Sequence, residues 1–565
     1  MIGVVASPGD DAVIREFFEL FKTPWEFHRW DSQYDAVLCS ADVPVPTNAK
    51  LVIIYASSRT YADGVYDIRT RLQQPGSQLF WSGQRIPIYG ASSTFPQKRS
   101  DLLLHENSGE CAGFSDECEG VTIIRLGYDL FSEIRTLLAT GQPALYARRP
   151  TLELHVALLR NLLTSSGLTL IEIPPVPEGH SFIACLTHDV DHPAIRQHKW
   201  DHTVFGFLYR AVIGSVRDFA LRRIGLHQLF TSWAAAFKLP FVYLGWAQDF
   251  WKNFGPAYLD IEQGLASTFF FVPFRDKAGM TRDGSAPPFR AVRYCAADLA
   301  DTIERLRKAG CEVGLHGIDA WRDADTSRRE LNEICRLTDR FEVGVRMHWL
   351  YYDSESPMIL ENAGAAYDST FGYNDTIGYR AGTTQAFKPL NARRLMELPL
   401  HVMDTALFYP SHLGLSFEQA IRLVREMLEN TESFGGCITI NWHDRSTAPE
   451  RFWGAFYRDL IHDLATRGAW FATAGQAVSW FRKRRLASFE TDCNGLVRLR
   501  LPKNHEDSLP GLRLRLHRGR EKSEIVDRAT QAYMDRVIDE SGQAGCSFLR
   551  PIEQASSCDC FEIRV

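Results

Sequence analysis

The sequence predicts an α/β fold whose largest part is a distorted (β/α) barrel, with a small α/β domain before it and a β-rich appendage after it. Two observations predict the barrel. Apolar runs alternate with helical stretches over residues 181–484, as in parallel strands joined by helices. Several of these runs end in Asp or His, and the functional side chains of such barrels lie at the carboxyl ends of the strands. The length of 565 residues allows about three domains.

Residues 1–145 are predicted to form the small α/β domain. Four short apolar strands, MIGVVAS, YDAVLCS, KLVIIYAS and RIPIYGAS, are separated by helical or loop stretches, which favours a parallel sheet. No glycine-rich phosphate loop follows any of them, so nucleotide binding is not indicated and the role of the domain stays open. Residues 146–180 form a connector, because the amphipathic helix LELHVALLRNLLTSSG is followed by the proline-rich stretch IEIPPVPEGH.

The barrel itself is assigned to residues 181–484. Helices are predicted at AADLADTIERLRKAG, which ends at a glycine, and at SFEQAIRLVREMLENTESFG. The predicted strands are, in chain order, SFIACLTHDVD, ASTFFFVPF, CEVGLHGID, VGVRMHWLYYD, GAAYDSTFGYND, LMELPLHVMD, GCITINWHD and GAWFATAGQAVSWF.

Residues 196–260 interrupt the barrel between its first and second strands. The segment is rich in aromatic residues, and its charges are mostly basic. It is predicted to be a helical lid or a dimer contact, with an amphipathic hairpin on a membrane surface as the alternative. Residues 485–565 form the β-rich appendage, since GLVRLRLP and GLRLRLHR alternate apolar and basic residues as half-buried strands do.

Composition excludes several classes of function. The net charge of −6 offers no basic field for nucleic acid. The first residues lack the pattern of a secretory signal, and no window holds ~18 uninterrupted apolar residues. The twelve cysteines show no CxxC spacing, which is typical of buried reduced thiols. The sequence therefore predicts a cytoplasmic protein, peripheral to the inner face of the membrane if residues 196–260 touch lipid. Its oligomeric state stays open.

Two aspartates and three histidines at separate strand ends predict a metal site. Asp189 and Asp191 are two residues apart on a strand, so their side chains share one face. Adjacent carboxylates repel, and a divalent cation bound by one removes this cost while the other can act as a general base. His316, His348 and His443 end the third, fourth and seventh strands. One carboxylate with two imidazoles suits a transition metal. The alternative is a solvated aspartate turn with unrelated histidines.

The motifs LTHDVD, STFFFVPF, EVGLHG, VRMHWL and INWHD occur in this order over about residues 181–480. In this the sequence resembles the polysaccharide deacetylase (NodB-homology) superfamily, carbohydrate esterase family 4. It looks most like a divergent bacterial branch that carries THDVD and an N-terminal α/β domain, with YDSTFGYNDTIGYRAGT and LPLHVMD as further matches. The resemblance implies a distorted (β/α) barrel of the deacetylase type, which binds a divalent transition metal such as zinc, cobalt, nickel or manganese.

The resemblance also implies metal ligands. The second aspartate of the acidic motif is a ligand in the family, and this role falls on Asp191 although Val190 separates it from the first. His316 matches the first histidine of the second motif, but the position four residues on is Ala320. We expect His348 to replace the missing ligand, and Asp319 is the alternative.

Catalytic roles follow from the same matches. Asp189 corresponds to the general base, and Arg346 to the arginine that orients it. His443 corresponds to the general acid, and Asp444, which follows it, is expected to hold its ring.

Three further residues are predicted to contact substrate. Arg380 follows the fifth strand, and Trp349 and Trp442 flank the site motifs, where aromatic faces suit sugar rings. The function expected is metal-dependent hydrolysis of N-acetyl groups on a polysaccharide or glycolipid sugar. The alternatives are a non-catalytic carbohydrate-binding member of the same fold and an amidase or esterase that acts on another acyl substrate.

Overall fold

The computed structural model describes residues 1–98, 102–118, 120–491, 497–502, 508–519, 533–538, 549–554 and 558–563. The chain divides into two units. Unit 1 comprises Met1–Gly179, Ala381–Leu390 and Trp480–Val565, and unit 2 comprises His180–Arg380 and Asn391–Ser479. The short segment Ala381–Leu390 thus leaves the predicted barrel and belongs to unit 1, where Thr383 Oγ1 donates a hydrogen bond to Glu153 (2.6 Å).

The first part of unit 1 alternates strands and helices. The described elements are, in chain order, β1 (Ile2–Val5), α1 (Asp11–Leu20), β2 (Trp25–Phe27), β3 (Tyr34–Cys39), β4 (Ala49–Tyr55), α2 (Tyr61–Val65), β5 (Arg71–Gln73), β6 (Ser77–Trp81), β7 (Gln84–Ile88), β8 (Ser92–Thr94), β9 (Leu103–His105), β10 (Cys111–Cys118), β11 (Val121–Leu126), α3 (Leu130–Ala139), α4 (Thr151–Ser165) and β12 (Leu170–Glu172).

The main sheet of unit 1 is mixed. Its strand order is β2-β1-β3-β4-β11-β10-β9-β6-β7, and the first five strands are parallel. The run RIPIYGAS, predicted as a parallel strand, forms β7 and pairs antiparallel with β6. The reason lies in the two-residue turn, because Ser82 and Gly83 both adopt positive φ (46° and 83°), as a tight hairpin requires.

Unit 2 follows the predicted succession of strands and helices. The described elements are β13 (Phe182–Val190), α5 (His202–Leu208), α6 (Ser215–Ala220), α7 (Leu226–Leu244), α8 (Phe254–Glu262), β14 (Ser267–Phe271), α9 (Ala300–Lys308), β15 (Glu312–Gly317), α10 (Ala324–Thr338), β16 (Val345–Met347), α11 (Ser356–Ala363), β17 (Val402–Met403), α12 (Asp404–Phe408), α13 (Phe417–Phe434), β18 (Cys437–Asn441), α14 (Trp453–Thr466) and β19 (Ala469–Phe471).

The sheet of unit 2 is curled and parallel. Its order is β16-β15-β14-β13-β18-β17, and β19 also pairs with β13. Two single-residue bridges continue it from Val345 to Asp368 and from Asp368 to Glu397, which lies shortly before β17. All the paired strands run in one direction, so their carboxyl ends, and the side chains that follow them, meet at one edge.

The fifth and sixth predicted strands are reduced to these bridges. Side chains replace several ladder bonds there: Thr370 Oγ1 accepts from the backbone N–H of Met347 (3.0 Å), and Glu397 Oε1 accepts from that of Phe371 (2.9 Å). Pro399 has no N–H to donate. Polar side chains that capture backbone groups compete with regular pairing, and this explains the loss of strand here.

One apolar core joins the sheet of unit 2 to its helices. Phe269 and Phe271 of β14 are fully buried in it, as are Leu186 of β13 and Leu428 of α13. Burial of each such side chain stabilises the fold by about 1.5–3 kcal/mol. The predicted end of α9 is confirmed at Gly310, whose φ of 88° is the left-handed conformation that suits glycine after a helix.

Residues 196–260 are largely helical, which agrees equally with a lid or dimer contact and with an amphipathic hairpin on a membrane surface. A π-helical segment at Tyr209–Gly214 connects α5 to α6. Helices α5 to α7 pack around the buried Phe207, Leu239 and Trp251. Many large apolar side chains of this segment nevertheless stay exposed. Within the described residues, none of the helices combines the length and the apolar content needed to cross a lipid bilayer.

The last described elements are α15 (Ala474–Leu486), β20 (Ser488–Thr491), β21 (Val497–Pro502), β22 (Leu512–His517), β23 (Tyr533–Ile538), β24 (Leu549–Gln554) and β25 (Cys558–Ile563). Both segments with alternating apolar and basic residues form strands, β21 and β22. Strand β22 lies between β12 and β23 in one sheet. The connector and the appendage predicted from the sequence are thereby joined within unit 1.

Candidate metal centre

Side chains along β13 alternate between the buried core and a cavity at the edge of the sheet. His188 points to the buried side, where its ring nitrogens lie 2.8 Å from Trp442 O and 2.7 Å from Glu262 Oε1. Asp189 and Asp191, on the opposite face, line a cavity at the carboxyl edge of the sheet. Successive residues of a strand face opposite sides, so the aspartate spacing of two places both acids at this edge.

Asp191 is the centre of a cluster with two histidines. Its Oδ1 lies 3.3 Å from His316 Nε2 and 3.5 Å from His348 Nε2. Asp191 Oδ1 is buried and has no hydrogen-bond partner among the described residues. Burial alone would raise the pKa of Asp191, but the imidazoles of His348 and His316 outweigh it and hold the pKa well below its usual value.

These three residues fit a divalent transition metal. Metal–ligand bonds of about 2.0–2.2 Å in a tetrahedral site place the ligand atoms about 3.4 Å apart, close to the separations seen here. His316 Nδ1 lies 3.0 Å from the carbonyl oxygen of Arg346 and must donate to it, which leaves the Nε2 lone pair facing Asp191. The unpartnered Oδ1 is the acceptor that a cation would satisfy.

A left-handed turn places His348 in the cluster. Trp349 and Leu350, which follow it, both adopt positive φ (63° and 51°), a conformation that costs energy in residues with a Cβ. The buried Arg290 fixes the turn, since its Nη2 donates to the carbonyl oxygens of His348 (2.7 Å) and Ile318 (2.8 Å). The chain is thus held in a strained conformation at the point where a side chain enters the site.

Asp319, the alternative ligand, lies outside the cluster. Its Oδ1 accepts from the backbone N–H of Met280 (2.9 Å), and its Oδ2 lies 3.7 Å from Arg322. Among the described residues, the group that could hold a metal is Asp191, His316 and His348.

Asp189 is held from two sides. Arg346 Nη1 donates to its Oδ1 (3.2 Å), and Asn441 Nδ2 donates to its Oδ2 (2.8 Å). Asn441 also accepts from the backbone N–H of Asp189 (3.2 Å). The Oδ2 atom lies 3.9 Å from His316 Nε2. The Asp189 carboxylate therefore has a fixed orientation beside the cluster of Asp191, His316 and His348, but it is not one of the cluster's members.

His443 lies on the other side of the cluster, with its Nε2 3.8 Å from Asp191 Oδ2. Its Nδ1 donates to Asp404 Oδ1 (2.6 Å). Burial lowers the pKa of His443, but the carboxylate of Asp404 outweighs burial and raises it to about 10. Asp404 therefore stabilises the protonated form of the ring, whose Nε2 lies on the side of the cavity.

The prediction that Asp444 holds the ring of His443 is wrong, because Asp404 holds it. The carboxylate of Asp444 accepts instead from the backbone N–H groups of His192 (2.7 Å) and Arg445 (2.9 Å). Adjacent residues in an extended segment point apart, so a neighbour in sequence cannot reach the ring that a residue on another strand can.

A single cavity of about 760 Å³ contains the cluster, Asp189 and His443. Trp349 lines it and is 43% exposed, so an aromatic face is open to a ligand. The lining also includes residues of helix α5, of the turn after β16 and of the loops between the later strands, among them Thr203, Gly206, Tyr351, Asn374, Ser411 and His412.

Two predicted substrate contacts do not line this cavity. Trp442 is fully buried and stacks on Phe456 and Tyr457 in the core. The guanidinium group of Arg380 lies over the ring of Phe371 (4.5 Å) and donates to Gly372 O (3.0 Å). Both side chains serve packing, because the chain direction after each strand turns them away from the sheet edge.

Sequence reasoning missed three residues that position the site, namely Arg290, Asp404 and Asn441. Two of them stand inside motifs already noted, Asp404 at the end of LPLHVMD and Asn441 within INWHD. A signal was present in both cases, since a polar residue at the end of a barrel strand points to the site. No comparable signal marks Arg290, which lies in a loop.

No family model matches the chain, and no curated protein matches it. Among solved structures, a Mycobacterium smegmatis protein assigned as a polysaccharide deacetylase is similar at 21% identity and a TM-score of 0.33, over 55% of this chain and 95% of the other. The Puue allantoinase is similar at 14% and 0.32, over 55% and 92%. A Parabacteroides distasonis protein assigned as a glycoside hydrolase or deacetylase is similar at 12% and 0.31, over 65% and 86%. TM-scores this low carry no argument for the activity of this chain.

The residues of the cavity could together bind a cation and transfer protons. One cavity brings together a set of cation ligands, an oriented carboxylate that can accept a proton and a protonated imidazole that can donate one. Groups of these three kinds can together support metal-assisted hydrolysis of an acyl bond.

Proposed function

We propose that this protein is a metal-dependent hydrolase that removes N-acetyl groups from a sugar of a polysaccharide or glycolipid. One observation carries the proposal: the buried and unpartnered Asp191 Oδ1 lies within 3.5 Å of two imidazole nitrogens, in a cavity that also holds Asp189 and His443. A bound cation would supply the partner that this buried carboxylate oxygen lacks.

Asp191, His316 and His348 would hold the metal, and zinc fits this donor set best, with cobalt, nickel or manganese as alternatives. When bound, the ion supplies Lewis acidity at the acyl carbonyl. The three ligands are held in place by the protein, since Arg346 O fixes the ring of His316 and Arg290 fixes the turn after His348.

The proton transfers are assigned to the other two residues. Asp189 accepts a proton from the attacking water, and Arg346 and Asn441 keep its carboxylate in the orientation this needs. His443 donates the Nε2 proton to the departing nitrogen as the C–N bond breaks, and Asp404 stabilises its charged form. The products are acetate and an amino sugar. Each such proton transfer contributes typically about 10²–10⁴-fold to the rate.

The test is acetate release from N-acetylglucosamine oligomers by zinc-loaded protein. We expect release by the wild type, bound zinc without release for Asp189→Asn, and neither zinc nor release for His316→Ala. Release from O-acetyl sugars or other amides alone would identify the alternative acyl hydrolase. Sugar binding that raises the melting temperature without release from any acyl substrate would identify the non-catalytic alternative. A wild-type protein that takes up no transition metal contradicts the proposal.

We also propose that the helices within residues 196–260 rest on an anionic lipid surface on the cytoplasmic side. One face of α7 carries exposed apolar side chains at helical spacing: Leu226, Phe230, Trp233, Phe237, Phe241 and Leu244. Arg217 and Asp218 lie in helix α6, and Arg222 and Arg223 lie in the turn between α6 and α7. An apolar stripe beside basic residues matches the interface of anionic lipid.

A further inference from the structure

A cluster of three arginines lines the cavity on the side of His443. Arg210 comes from the π-helical segment of the insertion, Arg445 from the turn after β18, and Arg451 from the loop before α14. The cluster comes together from distant parts of the chain, and the mechanism assigned above uses none of its members.

Three buried donor atoms of the arginine cluster lack a hydrogen-bond partner among the described residues. Arg451 is 6% exposed, and its Nη2 donates to Tyr409 Oη (2.7 Å). Arg451 Nε and Nη1 and Arg210 Nε are buried without a hydrogen-bond partner. None of the three guanidinium groups forms an ion pair with a carboxylate of the described residues.

Aromatic rings compensate part of the charge. Arg451 Cζ lies 4.7 Å from the ring centre of Trp453 and Arg445 Cζ 5.1 Å from that of Trp251. Such contacts stabilise a cation but accept no hydrogen bond in the plane of the guanidinium group. Glu450 is one of the acids near the cluster, and its own Oε1 is buried without a partner; Asp404 and Asp444 also act on Arg451 and Arg445. Buried donors without an acceptor cost free energy, and an anion bound beside the three guanidinium groups would add acceptors and negative charge.

The three charges act on one another and on a common neighbour. Burial lowers the pKa of Arg210 to about 10, and the charges of Arg451 and Arg445 act in the same direction. Burial would raise the pKa of Tyr409, but Arg451, Arg445 and Arg210 outweigh it and hold it below its usual value. His443 also contributes to the shift of Tyr409, so the arginine cluster adjoins the proton donor assigned above.

We propose that Arg210, Arg445 and Arg451 bind the phosphate or diphosphate group of a glycosyl phosphate substrate, whose acylated sugar lies at the metal centre. This inference rests on the proposed function and narrows its substrate class. Guanidinium groups bind phosphate through charge-assisted N–H donors, and all three arginines line the cavity without a carboxylate partner among the described residues. Three positive charges match a phosphate or diphosphate better than a single carboxylate, since a phosphate monoester carries about −1.5 to −2.

Size agrees with this assignment. Ligand cavities of about 300–1,000 Å³ hold small organic molecules, and the volume of about 760 Å³ has room for a sugar and its phosphate. Arg210 belongs to the same helical insertion that exposes the apolar face of α7. A phosphate bound there could therefore come from a lipid carrier or from a soluble nucleoside diphosphate, and both share the chemistry that the arginine cluster recognises.

The test is calorimetric titration of inorganic pyrophosphate into metal-free protein, where binding to the metal cannot contribute. We expect binding by the wild type, and affinity reduced roughly 10- to 100-fold in each of Arg210→Gln, Arg445→Gln and Arg451→Gln, since each loses hydrogen bonds to a charged ligand. Arg425→Gln is the matched control, because Arg425 pairs with Asp463 on the surface, and it should bind as the wild type does.

Arg451 is deeply buried, so its variant could fail to fold, and the two half-buried arginines keep the test decisive. Wild-type protein that does not bind pyrophosphate, or binding that neither Arg210→Gln nor Arg445→Gln weakens, overturns the inference. If the protein releases acetate but gives one of these two binding results, only the phosphate site is contradicted and the proposed deacetylase function stands. Binding with the expected arginine dependence, but without zinc uptake or acetate release, retains the anion site and removes the proposed function.

Competition against pyrophosphate then separates the two sources. Displacement at lower concentration by farnesyl diphosphate than by uridine diphosphate supports a lipid-linked substrate. The reverse order supports a nucleotide-linked one. Displacement by neither overturns the inference, because a glycosyl diphosphate would not enter a site that admits pyrophosphate only.

Discussion

Asp404 Oδ1 lies 2.6 Å from Nδ1 of His443, and Asp404 Oδ2 accepts from the backbone N–H of the same residue at 2.7 Å. Ser446 Oγ donates to this second oxygen as well. The carboxylate thus fixes both the ring and the backbone of His443, and it is itself fully buried. A buried carboxylate in this position sets which ring nitrogen faces the cavity and stabilises the protonated ring.

From this pair we predict that Asp404→Asn lowers kcat about 10²–10⁴-fold, which is the contribution of one proton transfer, with bound zinc unchanged. The amide no longer stabilises the charged imidazole. Asp444→Asn is the comparison, since both hydrogen bonds of Asp444 go to backbone N–H groups rather than to the ring of His443, and the amide oxygen keeps one of the two. A larger loss for Asp444→Asn than for Asp404→Asn would show that the ring is held by its neighbour in sequence.

The identity of the third metal ligand gives a second prediction. His348→Ala should lose stoichiometric zinc, because one of three ligands is removed, whereas Asp319→Ala should retain it. Zinc content after dialysis against buffered metal, measured by elemental analysis, checks this. Circular dichroism of both variants serves as the control for folding. Retention of zinc by His348→Ala together with its loss by Asp319→Ala would reverse the assignment.

The two tryptophans predicted to contact substrate should behave differently. Trp442→Ala removes a buried ring and should lower the free energy of unfolding by about 3–5 kcal/mol. Trp349→Ala should leave stability nearly unchanged and raise KM, because this ring faces the cavity. Urea denaturation and steady-state kinetics on the same preparations separate the effects. An unchanged KM in stable Trp349→Ala would remove this ring from the substrate site.

Acid should destabilise unit 1 through Glu172. Burial alone would raise the pKa of this carboxyl, but Arg160, with its guanidinium 2.8 and 2.9 Å away, and His517 outweigh burial and lower the pKa below the unfolded value of 4.5. The resulting stability is present above pH about 4.5 and is lost as pH falls below it, since the unfolded state then binds the proton more readily.

Accordingly, Glu172→Gln should lower the free energy of unfolding at pH 7 by about 3–5 kcal/mol, because it leaves Arg160 buried without a charged partner. The difference from the wild type should shrink between pH 5 and pH 3. Denaturant titrations at both ends of this range measure it. A difference that stays constant across the range contradicts the linkage.

The exposed face of α7 leads to the last prediction. Phe230→Glu combined with Phe237→Glu should abolish co-sedimentation with phosphatidylglycerol vesicles, because both rings are exposed on the apolar stripe. Phe341→Glu changes an exposed ring on another part of unit 2 and should bind as the wild type does. If the wild type does not bind these vesicles, the proposal that this face rests on anionic lipid is contradicted.

Local pattern alone was sufficient for several elements. The spacing of Asp189 and Asp191 placed both on one face, because the side chains of a strand alternate whatever surrounds it. The end of the helix at Gly310 could also be predicted from the sequence, since a left-handed residue after a helix is a local requirement. The fifth and sixth strands were misjudged, because the captured backbone groups near Thr370 and Glu397 depend on side chains from other segments.

The sequence by itself determined which residue types stand at the strand ends, and with them the candidate ligands Asp191, His316 and His348. Only the tertiary structure decided that Asp404 rather than Asp444 holds His443, that Trp442 lies in the core, and that Arg210, Arg445 and Arg451 share one wall of the cavity. The physical reason is that alternation and capping depend on neighbours in the chain. Partners across a cavity are set by the register and curvature of a sheet whose strands are separated by up to hundreds of residues.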